Sequence, residues 1–343
     1  MRATHLVCLL LSIVMPGLPG CGAGGEVPSG GALGNTPGSG AGNNPEPVTQ
    51  APAFNGPVRQ VLGIPGSGGD VYVRGDFTAY GEQSVPGVVR LRPDGSLHGG
   101  FVLPASIDHP VSVIALAADG SGDLYVADSL IERGLSFSTG TGRLWRLHAD
   151  GTIDSVFAMG TITIESDAFS PDPEFRAVVR SLAPLGDGRI YVAAGGRFNG
   201  TPVGQVMRLN RNGSLDTTFT DQAPYSVYRV VPARDGSGDV YIGTYERHAP
   251  SSWDSRYLLR LNADGTLDAG FNTAAFIWTD ARIDLMVPAE DGSGDLFARG
   301  SFLDLSQPNP GGPNALRGLV RIDPDGAIDR TSPRPQVDPL ASV

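Results

Sequence analysis

One segment of this chain returns five times. It reads RLRPDGSLHGGF from Arg90, RLHADGTIDSVF from Arg146, RLNRNGSLDTTF from Arg208, RLNADGTLDAGF from Arg260 and RIDPDGAIDRTS from Arg321, at spacings of 52 to 62 residues. A second echo lies upstream of each: GSGGDVYVRGDF, DGSGDLYVADS, GDGRIYVAAGGRF, DGSGDVYIGTY and DGSGDLFARGSF. Before that comes a third apolar run, as in Val58 to Ile64, Val111 to Ala117 and Val227 to Val231. Repeats of this length are single supersecondary units that cannot bury their apolar faces alone, so neighbours must stack.

Each unit reads as four short strands: an apolar run, a Gly-rich turn, a second strand, a variable connection, a third strand ending at the Arg-Leu pair, an Asp-Gly turn and a short last strand. Val71-Tyr72-Val73, Leu124-Tyr125-Val126 and Ile190-Tyr191-Val192 show no polar alternation, as expected of strands covered on both faces. The expected fold is all-β: one five-bladed β-propeller of four-stranded blades over residues 52–332. An open solenoid or linear array with capped ends is the alternative. Phe54-Asn55 resembles Phe271-Asn272 at a repeat junction, while the last copy reads Asp329-Arg330-Thr331 and lacks the Phe. The start of the chain is therefore expected to complete the last unit and close a ring. Gly 48 and Pro 28 suit many tight turns and disfavour long helices.

The turns Pro93-Asp94-Gly95, Ala149-Asp150-Gly151, Arg211-Asn212-Gly213, Ala263-Asp264-Gly265 and Pro324-Asp325-Gly326 fit three-residue loops, a type I turn followed by a left-handed Gly. In that register Leu147 faces Ile153, Leu209 faces Leu215, Leu261 faces Leu267 and Ile322 faces Ile328. One step out, Arg146 faces Asp154, Arg208 faces Asp216, Arg260 faces Asp268 and Arg321 faces Asp329, which reads as structural ion pairing. A reaction centre has no need of four identical copies. Arg90 faces His98, so that pair should be weaker.

These residues resemble the delta-60 repeat of bacterial proteins, with its Asp-Gly turn, following Asp and Phe. The resemblance covers about Phe54 to Thr331 and departs at His98 and at the missing last Phe. It implies a propeller in a surface setting and supplies no catalytic residues.

Arg2 and His5 precede an apolar run from Leu6 to Met15, too short to span a membrane and suited to a signal-peptide core over residues 1–20. The run ends in Leu18-Pro19-Gly20-Cys21, which resembles the lipobox of bacterial lipoproteins; Cys21 is the expected lipidation site. Residues 21–51 hold almost no large apolar side chain and read as a tether, and 333–343 read as a tail. The expected address is the cell envelope, at the outer membrane, through a lipid anchor. Cys8 and Cys21 are the only cysteines, so the repeats have no disulfide, thiolate metal site or Cys nucleophile.

The net charge of -11 argues against nucleic acid as a partner. All 25 basic residues are Arg. The Asp-Gly-Ser-Gly-Asp runs at Asp119, Asp235 and Asp291 place carboxylates at a spacing that suits calcium but lack a distal bidentate Glu, and they read as plain hairpin turns. No metal site or other cofactor is expected. The histidines His98, His109, His148 and His248 share no ligand spacing, and no phosphate loop or nucleophile elbow is present.

Function is expected where the units differ. In a meander blade the first and third turns lie at one end, and here these are short and repetitive. The second-to-third and unit-to-unit connections lie at the other end, and they are long and dissimilar. They hold Glu165, Asp167, Glu174, Glu246, His248, Trp253, Tyr257, Trp278 and Asp280, the candidate ligand-binding residues. The expected protein is a monomeric binding or scaffold propeller for carbohydrate or protein. The alternative is a glycosidase or lyase using carboxylates from different blades.

Overall fold

The computed structural model describes residues 52–133, 138–166, 178–247, 254–272, 276–278, 283, 285–304 and 315–329. They are all-β, with no helix among them. The first unit holds β1 (Val58–Gly63), β2 (Val71–Gly75), the small hairpin β3 (Ala79–Tyr80) and β4 (Gln83–Ser84), and β5 (Val88–Leu91). The second holds β6 (Val111–Leu116), β7 (Leu124–Arg133) and β8 (Ser138–Leu147), and β9 (Gly160–Ser166) leads to the third. The third holds β10 (Ser181–Pro184), β11 (Ile190–Ala193), the hairpin β12 (Gly196–Phe198) and β13 (Thr201–Val203), and β14 (Val206–Leu209). The fourth holds β15 (Ser226–Pro232), β16 (Val240–Arg247) and β17 (Asp254–Leu261); β18 (Phe276–Trp278) follows, and β19 (Leu285–Pro288), β20 (Leu296–Asp304) and β21 (Ala315–Ile322) form the fifth.

Every unit is an antiparallel meander of three ladder strands, where four were expected. The fourth strand is one bridge: Leu91 with Leu97, Leu147 with Ile153, Leu209 with Leu215, Leu261 with Leu267 and Ile322 with Ile328. The register is the one a three-residue loop requires. The repeated Asp that follows stops the strand after that single pair. Asp154 Oδ1 accepts the N–H of Val156 at 2.8 Å, Asp216 that of Thr218 at 3.0 Å and Asp268 that of Gly270 at 2.8 Å. A side chain bonded to the backbone two residues on makes a turn that competes with strand pairing. His98 does the same through Nδ1, accepting from Gly100 at 3.3 Å.

That turn folds the repeated Phe back onto the repeated Tyr of the second strand. The pairs Phe101–Tyr72, Phe157–Tyr125, Phe219–Tyr191 and Phe271–Tyr241 are edge-to-face with centroids 5.0 to 5.5 Å apart. The residue after the Phe then bonds the next unit's Asp-Gly turn: Ala158 N–H donates to Asn212 O, Thr220 to Asp264 O and Asn272 to Asp325 O, at 2.7 to 2.8 Å. Approach is so close that a Cβ on Gly265, whose φ is +92°, would lie 2.3 Å from the carbonyl oxygen of Thr220. The turn glycine is thus fixed twice, by its left-handed backbone and by its neighbour.

The first strands of the units stand side by side in chain order, β1 by β6, β6 by β10, β10 by β15 and β15 by β19. Each presents an edge without a ladder partner, and polar side chains from the adjoining unit satisfy it. Gln60 both donates to and accepts from the backbone of Ile114, and Ser181 Oγ accepts from Val230 N–H at 3.2 Å. Ser112 Oγ donates to Val179 O at 3.0 Å. The core is a series of apolar clusters lying between successive units.

Phe54 does not complete the fifth unit. Its ring packs on Phe77 and Tyr80 of the first, at 4.2 and 4.6 Å, and among the described residues no hydrogen bond joins the fifth unit to the first. The N-terminal segment and the β3–β4 hairpin cover the outer part of the first unit's free face, burying Val71 and Val73.

Candidate binding face

The repeated ions gather at the short-turn end. In the second, fourth and fifth units the third-strand Arg is offered both the Asp that opens the second strand and the Asp after the bridge. Arg208 Nε reaches Asp216 at 2.7 Å and Arg260 reaches Asp268 at 2.5 Å. Arg146 lies 3.5 Å from Asp154 but hydrogen-bonds Asp119 at 2.7 Å and Asp123 at 2.9 Å; Arg321 lies 3.7 Å from Asp329 and bonds Asp291 and Asp295. The first unit has His98 in place of the second Asp, and Arg90 bonds Asp70 at 2.9 Å. The third has Arg189 in place of the first Asp, and Asp216 serves both arginines, with Arg189 at 3.6 Å. The guanidinium is also held over aromatic rings: that of Arg208 lies 5.7 Å from Tyr191 and 5.2 Å from Phe219.

These contacts set the titration of the end. Burial opposes ionisation of Asp119, but Ser121 and Arg146 outweigh it and hold the carboxyl at about 2. Asp216 is likewise at about 2, where Thr218 and Arg208 outweigh burial. The Asp-Gly-Ser-Gly-Asp carboxylates suited by spacing to calcium are engaged by Arg146 in the second unit and Arg321 in the fifth. A cation there would have to displace a guanidinium. An open depression at this end is lined by Asp187, Arg189, Asn210, Arg211, Asn212 and Ser214.

The opposite end is built of elements that vary from unit to unit. The β7–β8 hairpin runs past its own unit, β9 pairs with the outer part of β8, β12 pairs with β9 at Arg197–Thr163 and Phe198–Ile162, and β13 pairs with β12. The result is one six-stranded sheet, β13-β12-β9-β8-β7-β6, shared by the second and third units. Glycines admit the packing: a Cβ on Gly160 would sit 2.1 Å from the Phe198 ring, and one on Gly140 2.8 Å from Val178. In the fifth unit β18 adds to the far part of β20, with Trp278 in register with Phe302. The β3–β4 hairpin lies between the second and third strands of the first unit, as β12–β13 does in the third.

Of the candidate residues, Glu165 lies on β9 in register with Thr139, Glu246 on β16 with Ser255, Tyr257 on β17 with Thr244, and Trp278 on β18. Asp167, Glu174, His248, Trp253 and Asp280 lie outside the described residues. One group escaped the sequence reading. Asp128, fully buried in β7, accepts Arg143 Nε at 2.9 Å and Arg143 N–H at 3.0 Å; Arg143 also reaches Asp108 at 2.5 Å and lies over Trp145. Asp108, His109 and Asp128 are close enough together to ligate a metal, but Arg143 already engages both carboxylates. The available signal was a lone carboxylate in the apolar run YVAD, which burial obliges to be paired.

Three segments match a family described as a domain of unknown function (DUF5122) beta-propeller: residues 69–101, 185–219 and 252–271, in the first, third and fourth units. No curated protein matches the chain. Among solved structures, the GH43 BlXynB protein of Bacillus licheniformis is similar at 13% identity with TM-score 0.26, over 81% of this chain and 54% of that one, so the chain spans about half its length. A putative hydrolase from Bacteroides ovatus is similar at 14% identity, TM-score 0.25, over 79% of this chain and 86% of that one. The Pan2 WD40 domain of Neurospora crassa follows at 12% identity, TM-score 0.21, over 60% and 79%. At these TM-scores no function follows from the likeness. The family match supports assigning these all-β units to a propeller-repeat family.

Proposed function

We propose that the chain is an exported protein, anchored by lipid at Cys21, whose five units are the blades of one propeller that binds a carbohydrate or protein ligand at its long-connection end. One observation carries the reading. Every element that departs from the three-strand plan, namely β3–β4, β9, β12–β13 and β18, belongs to connections at that end. A regular scaffold with variation confined to one end is the arrangement on which recognition is usually built. At the other end the repeated Asp and Arg residues are taken up by one another. Glu165, Glu246, Tyr257 and Trp278 are the residues proposed to meet the ligand, with Asp167, Glu174, His248, Trp253 and Asp280 on the same connections. No metal or cofactor enters this reading. The test is a glycan array and a protein pull-down with the full chain, scored in parallel for hydrolysis; saturable binding without turnover supports it, and product release from a bound glycan replaces it with the enzyme reading.

A further inference from the structure

The two ends of the array are complementary. Residues in register with the centre of the second strand repeat as Val61, Ile114, Leu182, Val230 and Met286. The last four are buried against the preceding unit, whereas Val61 is 39% exposed. The next position repeats as Leu62, Ala115, Ala183, Val231 and Val287 and faces the following unit. Ala115, Ala183 and Val231 are buried there, whereas Val287 is 40% exposed and Leu285, two residues before it, 38%.

A cation shows the same mismatch. Arg74 reaches across to the second unit and donates to the carbonyls of Val111, at 3.0 Å, and Ser112, where β6 bulges. Arg299 holds the matching place in the fifth unit, in register with Leu285 as Arg74 is with Gln60, yet it is exposed. The residues of β1 that match Val111 and Ser112 are Val58 and Arg59, at the bulge of that strand.

We propose that β19 docks on β1 of the same chain, so that Leu285 and Val287 cover Val61 and Arg299 donates to the carbonyls of Val58 and Arg59. The proposal rests on the five-blade reading and names the contact that closes it. Only this inner half of the junction is needed. The outer half is made within the first unit, where Tyr80 donates its hydroxyl to Gly95 O at 2.8 Å at the turn where other units receive their neighbour's backbone. The fifth unit has correspondingly lost the parts that make an outer junction: Phe297 stands where Tyr72, Tyr125, Tyr191 and Tyr241 carry a hydroxyl, and the closing Phe is absent. The four internal junctions supply the template for apolar burial at this position. A surface on the same chain is favoured over a second copy because tethering holds the partner at roughly millimolar effective concentration.

The test is a disulfide. In the full chain with Cys8→Ser and Cys21→Ser, the pair Val61→Cys and Val287→Cys has no competing thiol. Oxidation is expected to consume both thiols within a monomer, giving a faster band without reductant. The pair Leu62→Cys and Ile114→Cys, across the first and second units at matching positions, is the positive control. Disulfide-linked oligomers, or free thiols where the control closes, overturn the proposal. Single variants at 61 and 287 are read by maleimide labelling against Ser39→Cys in the tether; closure slows labelling by about tenfold or more, and equal rates overturn it. An open arc that binds ligand removes the closure and leaves the function standing, and a closed arc that binds nothing does the reverse.

Discussion

The hydroxyl of Tyr191 donates to the carbonyl of Gly238 at 2.8 Å, joining the third unit to the fourth. The same bond recurs from Tyr241 to Gly294 at 2.5 Å and, longer, from Tyr125 to Gly188 at 3.4 Å. A repeated Tyr in a buried strand is therefore a junction residue as well as a core residue. Tyr191→Phe should cost about 1 to 2 kcal/mol, since it strips a partner from a carbonyl while leaving the ring packed on Phe219. Tyr191→Ala should cost about 3 to 5 kcal/mol, by losing the ring as well. Urea midpoints measure both; an unchanged midpoint for Tyr191→Phe would show that the hydroxyl contributes nothing, and equal costs for the two variants that the ring contributes nothing.

The turn glycines separate backbone strain from collision. Gly265 and Gly292 both have positive φ, +92° and +76°, but a Cβ on Gly292 meets nothing within 4 Å while one on Gly265 strikes Thr220. Gly292→Ala should cost about 1 kcal/mol from the left-handed backbone alone. Gly265→Ala should cost clearly more, because the third and fourth units must part. Thermal unfolding of the two variants decides it, and equal midpoints contradict the close approach.

Acid should loosen the short-turn end. The folded carboxyls of Asp119 and Asp216 are held at about 2, below the value of about 3.9 for an unfolded Asp. The unfolded chain thus binds protons first as pH falls. The stability these groups contribute is present above pH about 4 and is lost towards pH 2. The denaturation midpoint should fall through this window, and Asp216→Asn should flatten its share of the slope; an unchanged slope contradicts the assignment.

The anchor is tested at one residue. Cys21→Ser should move the protein from the membrane fraction to the soluble one, because a lipid chain is the only attachment proposed. Unchanged partitioning contradicts lipidation.

The five units and their turn register are legible because Asp-Gly and the apolar triplets act locally: Leu147 opposite Ile153 follows from the loop alone. The loss of the fourth strand is not, because the Asp154 carboxylate competes with the ladder and sequence pattern does not rank the two. Nor is the choice Arg146 makes of Asp119 and Asp123 over Asp154, which depends on where a long side chain ends up among three anions. Phe54 resembles the junction Phe of other units in its dipeptide, but Phe77 and Tyr80 lie nearer and claim it. The shared sheet from β6 to β13 is illegible for the opposite reason: it is built from connections without a repeat, and Gly160 shows its role only beside Phe198.

Recognition at the long-connection end is separated from recognition at the short-turn end by substitutions confined to each. With a ligand from the array, dissociation constants are compared for Trp278→Ala and Tyr257→Ala at one end and for Arg211→Ala and Asn212→Gly at the other. The first pair is expected to weaken binding by about tenfold or more, the loss of about 1.4 kcal/mol typical of an aromatic contact, and the second pair to leave it unchanged. Binding lost with Arg211 and Asn212 and kept without Trp278 and Tyr257 would contradict recognition at the long-connection end.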